Sequence, residues 1–122
     1  VFSRIQQART AGFWFRLIYV GLDSADIAIE RVAARARRGG HDISSDVVRR
    51  RYVDSLRGLP KAIVLADEAV VFDNSQRFCE HYRKTRGQLF RVSVVELPQW
   101  LTDLEQRVKE QPVHPSVHVK HE

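Results

Sequence analysis

The chain has a single cysteine, Cys79, in 122 residues. One thiol excludes an internal disulfide and a cysteine-rich zinc site, and this sparing use makes the cytoplasm the expected compartment. Long apolar runs are missing as well. Nothing approaches the roughly 18–20 residues of a membrane span, and the longest run, from Gly12 to Leu22, is broken by Arg16. There is no secretory signal pattern, no internal repeat and no low-complexity tract. Lysine is absent between Arg31 and Arg57, where every basic side chain is an arginine and the one aromatic is Tyr52. Surfaces that track nucleic acid mix lysine with arginine and interleave aromatics. That lack disfavours a nucleic-acid groove and favours a compact phosphate site.

What is present suits one small α/β domain. The length allows a single core, and the net charge of +5 gives solubility and a weak pull on anions. The chain begins at Val1 rather than methionine, so it is expected to be a piece of a longer protein. Residues 2–11 read as a helix stopped at Gly12. Residues 13–21 (FWFRLIYVG) read as a strand buried on both faces, as in a parallel sheet. Asp23 or Ser24 offers an N-cap for a helix over 25–38, whose apolar stripe is Ile29, Val32, Ala33 and Ala36. Gly39-Gly40 ends it. A second helix opens at Ser44 or Ser45 and is interrupted by Gly58 and Pro60, with a further helical segment over 61–67. Residues 69–73 read as a second buried strand, 76–86 as a polar surface excursion, and 88–95 as a third strand at an edge. Residues 98–109 read as a short amphipathic helix, and 112–122 as a frayed tail. Three strands make a thin sheet, so further strands and helices are expected before Val1.

The chemistry lies in the arginines. On the first of the paired helices, Arg31, Arg35 and Arg38 stand at i, i+4 and i+7 and share a face. Like charges at that spacing repel by a few tenths of a kcal/mol per pair, which an anion between them would offset. The plain alternative is a solvated face partly neutralised by Asp26 and Glu30. Arginine grips phosphate because its planar fork matches phosphate oxygens and keeps its charge. The Gly-Gly turn permits close backbone approach, and Ser44-Ser45 opens a helix whose free N–H groups can take an anion. On the second helix, Arg50 and Arg57 are one i, i+7 step apart, while Arg51 lies nearer the Val48/Tyr52/Leu56 side and is expected to be half-buried and paired. His41 reads either as a phosphate ligand or general acid, or as a structural hydrogen-bonding residue of the turn. Asp73-Asn74-Ser75 ends a buried strand, where α/β sheets bind ligands, and also reads as a simple Asx turn. Cys79 is expected to be inert. The tail histidines His114, His118 and His121 have a spacing that does not point to a metal site.

The strings RVAARARRGGHDIS, VVRRRY and SLRGLPKAIVLADEAVVFDNS together resemble the C-terminal half of a zeta-toxin-family P-loop kinase. The likeness covers Phe2 to Phe90, and its departure is Ser44 where the family usually has proline. The resemblance implies a partial P-loop kinase-like parallel sheet over residues 1–111 with an arginine-rich helical lid over about 31–57. It implies ATP and Mg²⁺ as cofactors, and phosphoryl transfer to a small-molecule hydroxyl, as on UDP-N-acetylglucosamine or another UDP-amino sugar. It implies an antitoxin protein, or the N-terminal half of the same kinase, as partner. By motif position Arg35, Arg38, Arg50 and Arg51 contact the ATP phosphates, with Arg35 and Arg51 catalytic; Arg31 and His41 join the phosphate site, and Asn74 approaches the adenine. No G-x-x-x-x-G-K-[ST] motif is present. The P-loop, the Mg²⁺ ligands and the catalytic aspartate are therefore expected upstream, and this segment alone is expected to be inactive. Two other readings stay open: a truncated remnant that binds a nucleotide or a partner without catalysis, and a small basic nucleic-acid-binding module. A half-sheet with an exposed apolar strand is also expected to self-associate.

Overall fold

Two parallel strands organise the fold: β1 (Arg16–Gly21) and β2 (Glu68–Asp73), in register from Arg16↔Glu68 to Gly21↔Asp73. The computed structural model describes residues 2–111 and 118–121. A short helix, α1 (Phe2–Thr10), precedes β1, and two helices, α2 (Ala25–Arg37) and α3 (Ser45–Leu65), connect β1 to β2. After β2 come β3 (Cys79–Thr85), β4 (Gln88–Arg91), α4 (Gln99–Glu110) and β5 (His118–His121). The five strands lie in chain order in one mixed sheet. β3 is antiparallel to β2 and β4, and β5 runs parallel to β4. The α/β class and the parallel β1–β2 pair are as the alternation of apolar segments predicts.

The core lies on one face of this sheet. Leu59 and Ile63 of α3 and Trp100, Leu101, Leu104 and Val108 of α4 pack on Val71, Tyr82 and Leu89. The other face is open: Ile18, Val20 and Phe78 are exposed, and Phe78 stacks on Phe72 at 4.6 Å between ring centroids. This corrects the reading of β1 as buried on both faces. Its residues alternate, with Leu17 and Tyr19 against the core and Ile18 and Val20 outward, because α3 and α4 cover one face and no described helix covers the other.

Other boundaries shift for physical reasons. α3 runs unbroken through Gly58 and Pro60; the proline costs one backbone donor, but it is buried against the core and the helix continues to Leu65. The polar stretch 76–86 is not a surface excursion, since it contains β3. Its buried cation, Lys84, donates to the carbonyls of Ile63, Val64 and Ala66 at 2.6–2.9 Å, capping the end of α3, while Glu80 and Arg83 pair on the exposed side. Arg86 and Gly87, at φ 51° and 75°, make the two-residue β3–β4 turn, as a type I′ hairpin requires. β4 stops at Arg91 and is not an edge, because β5 pairs along it. The expected tail is therefore strand over 118–121, while 112–117 and 122, with His114, lie outside the described residues.

Candidate functional site

The C-terminal ends of β1 and β2 form a small, heavily tied junction. Asn74 N–H donates to the Gly21 carbonyl at 2.9 Å, and the Asp23 N–H donates to Ser75 Oγ at 2.8 Å. Ser75 Oγ in turn donates to Asp73 Oδ1 at 2.8 Å, and Trp100 Nε1 donates to the same oxygen at 3.0 Å. Asp73 is thus a buried carboxylate held by its neighbours rather than a free base. Gly21 is required at the junction: a Cβ there would lie 2.2 Å from the Trp100 ring. Tyr52 of α3 donates to the Leu22 carbonyl at 2.9 Å, fixing the helical pair over the strand ends. Burial raises the Tyr52 pKa above its ordinary value, with Tyr19, Asp23 and Asp73 adding to the effect, so the phenol stays a donor.

The arginines divide into three groups. Arg31 reaches the junction, where its Nη2 donates to the Ser75 carbonyl at 2.9 Å. It therefore meets the 73–75 segment that holds Asn74. Arg35 follows on α2 and Arg38 caps its end, and both are exposed; Arg38 Nε donates to the Ala34 carbonyl at 3.3 Å, and the Arg35 side chain has no partner among the described residues. The turn after α2 closes with Gly40 N–H on the Arg35 carbonyl and Gly39 at φ 96°. The third group is on α3, which packs on α2. Arg50 and Arg51 are exposed and, among the described residues, their side chains make no ion pair or hydrogen bond. This corrects the expectation that Arg51 is half-buried and paired: its neighbour Tyr52 and, one turn back, Val48 take the inward positions. Arg49 pairs with Asp26 at 2.9 Å and Arg57 with Asp54 at 3.4 Å. His41 is exposed in the loop between the helices. The Arg31–Ser75 bond is the direct contact between this arginine set and the strand ends.

A cavity of about 400 Å³ opens beside the junction, lined by Asp23, Asp73, Ser75, Arg77, His81 and Leu97 among others. Two residues here escaped the sequence reading. His81 stands in a segment read as a surface excursion, and Trp100 in a helix read only as amphipathic. Neither had a local signal, since a strand bulge and a ring nitrogen's partner are set by tertiary contacts. Cys79 also lines the cavity, half-buried, with its Sγ toward the Glu80 carbonyl. No group of three or more His, Cys, Asp or Glu side chains suited to a metal ion occurs among the described residues.

No family model matches the chain, and no solved structure matches it. It is similar to a protein of Haemophilus influenzae (strain ATCC 51907 / DSM 11121 / KW20 / Rd) described as an uncharacterized protein, at 36% identity over 52 residues. The matched segment is 43% of this chain and 37% of that relative, which is therefore somewhat the longer of the two. No described helix is long and apolar enough to cross a membrane.

Proposed function

We propose that this chain is the lid-bearing, nucleotide-binding portion of an ATP-dependent phosphotransferase similar to the zeta-toxin kinases. The observation that carries the reading is the bond from Arg31 to the Ser75 carbonyl. It seats an arginine-rich helix directly over the C-terminal ends of two parallel strands, the place where α/β sheets bind ligands. In this reading Arg35, Arg38, Arg50 and Arg51 surround the ATP phosphates. Their guanidinium groups are exposed and, apart from the weak Arg38 bond to its own helix, unengaged, so binding an anion breaks little. Phosphoryl transfer needs positive charge placed around the migrating group, and arginines supply it without changing protonation state. His41, exposed in the intervening loop, is within the same lid.

Magnesium would be supplied with the nucleotide and held by residues upstream of this segment, where the P-loop would also lie; what it adds when bound is neutralisation of phosphate charge. The open sheet face supports a partner for this half. Strands of a parallel sheet are ordinarily covered on both faces, and β1 pairs only with β2 among the described residues. A cytoplasmic setting, and an N-terminal half, an antitoxin or a second copy as occupant, belong to this proposal. A second reading is a remnant that binds nucleotide without turnover, which would show ATP binding with no phosphoryl transfer in the presence of magnesium. A nucleic-acid module has less support, since Tyr52 of the lid donates its hydroxyl inward to Leu22 and offers no stacking surface.

Calorimetric titration of the chain with ATP tests the proposal. Saturable binding that falls about tenfold or more in Arg35→Ala and in Arg51→Ala is expected, as for loss of a charge-assisted phosphate contact. Equal affinity in both variants would remove the assigned roles, and tighter binding to an oligonucleotide than to ATP would favour the nucleic-acid reading.

A further inference from the structure

β3 carries a bulge next to the candidate site. Its register with β2 shifts between Val71 and Phe72: Val71 faces Tyr82, Phe72 faces Glu80, and His81 is the extra residue. In an unbroken strand, neighbours point to opposite faces. Here His81 and Tyr82 are both buried, at 2% and 1% exposure. Bulges re-aim side chains, and they are over-represented beside active sites. Tyr82 fills the core, whereas His81 is delivered to the polar end of the same face.

The imidazole is held at one nitrogen and unpartnered at the other. Nδ1 lies 2.7 Å from Ser93 Oγ. Nε2 has no hydrogen-bond partner among the described residues, yet it is not a sealed polar atom, and the residue lines the cavity with Asp73, Ser75, Arg77 and Leu97. Burial draws the His81 pKa below its ordinary value, with Asp73 opposing and Arg91 reinforcing the shift. The ring is therefore neutral at pH 7 and presents one N–H and one lone pair. Facing the cavity, Nε2 is free to hydrogen-bond a ligand there.

This cavity and the arginine face meet at Ser75. The serine lines the cavity, and its carbonyl accepts from Arg31. From Arg31 the guanidinium series continues through Arg35 to Arg38, about 10 Å along the helix at 1.5 Å per residue. The order is a cavity with a neutral hydrogen-bonding group, then a line of cations. A ligand with a flat heterocyclic head and a chain of phosphates matches it. We propose that His81, fixed by Ser93, hydrogen-bonds the base of a nucleoside polyphosphate in this cavity while Arg31, Arg35 and Arg38 take its phosphates. This rests on the nucleotide reading above and assigns its base end. The Ser93 hydroxyl donates to Nδ1, and the Nε2 proton is donated to a ring nitrogen of the base.

The test compares two probes, ATP and inorganic tripolyphosphate, titrated into the chain and into His81→Phe and Ser93→Ala. Tripolyphosphate carries the charges and no base. Wild type is expected to bind ATP more tightly than tripolyphosphate. His81→Phe is expected to weaken ATP about ten- to a hundredfold, the value of one buried hydrogen bond, and to leave tripolyphosphate unchanged. Ser93→Ala, which keeps the imidazole but frees its ring, is expected to weaken ATP by a smaller factor. Equal weakening of both probes in His81→Phe would mean a general structural role and overturn the inference; so would ATP binding that neither variant alters, although the phosphate site would then stand. Absence of binding by either probe to wild type would remove both readings together.

Discussion

Gly21→Ala is the substitution whose cost the structure sets most closely. The added Cβ would lie 2.2, 2.4 and 2.8 Å from three carbons of the Trp100 six-membered ring, where carbon atoms ordinarily rest at about 3.5–4.0 Å. The ring has to retreat by more than 1 Å, as that difference implies. It has little room, being 7% exposed, tilted against Tyr19 at 5.9 Å, and pinned by its Nε1 bond to Asp73. Overpacking a core costs about 1–3 kcal/mol, and a lost hydrogen bond to a carboxylate about 1.5–3 kcal/mol. The expected destabilisation is therefore about 2.5–6 kcal/mol, a large part of the roughly 5–15 kcal/mol typical of a domain. Urea unfolding followed by tryptophan fluorescence measures it. Trp100→Phe removes the three carbons that clash, so Gly21→Ala should cost much less in that background, and the double-mutant cycle should show positive coupling. A Gly21→Ala protein within about 0.5 kcal/mol of wild type, the range of an ordinary surface change, would refute the close approach of Trp100 to the strand end.

Lys84→Met leaves the carbonyls at the end of α3 without their donor and is expected to destabilise by about 2–4 kcal/mol. Lys84 also sets a pH dependence: burial, reinforced by Arg9 and opposed by Asp67, pulls its pKa down to about 8 from 10.5. Between these values the unfolded chain holds more protons, so stability is expected to rise from pH 8 towards 10; denaturation midpoints across that range should lose the rise in Lys84→Met. On the open sheet face, Ile18→Glu places a charge in the exposed apolar patch. Sedimentation velocity is expected to show less self-association in this variant than in wild type, and an identical distribution would mean the face is not the contact.

The parts of the fold legible in the sequence were those with local causes. Ser24 caps α2 through Ile27 N–H, and Ser44 caps α3 through Val47 N–H. The apolar runs before Gly21 and Asp73 mark the parallel pair, and Pro98 opens α4. What stayed hidden depends on distant partners. Lys84 makes β3 look like a surface loop until the α3 carbonyls that receive its ammonium are in place. β5 pairs with β4 from a stretch that reads as a tail. At the site, the spacing placed Arg31 and Arg35 on one helix with Arg38 at its C-cap, and Arg31 reaches the Ser75 carbonyl, next in the chain to Asn74. Arg51 read as inward because one turn of a helix was judged by its apolar neighbours, and Val48 and Tyr52 took the space. His81 needed the bulge, which no periodicity announces.

The proposed function requires the arginine-rich helical pair and the ends of β1 and β2 to form one nucleotide site. The most direct measurement is a ¹⁵N–¹H correlation spectrum of the chain titrated with ATP. Concerted, saturable shifts are expected in residues 23–41, 49–51 and 73–81, with the open face around Ile18 and the β3–β4 turn unmoved. Shifts spread along the open face, or none in the 31–38 and 73–75 segments at saturating ATP, would contradict it.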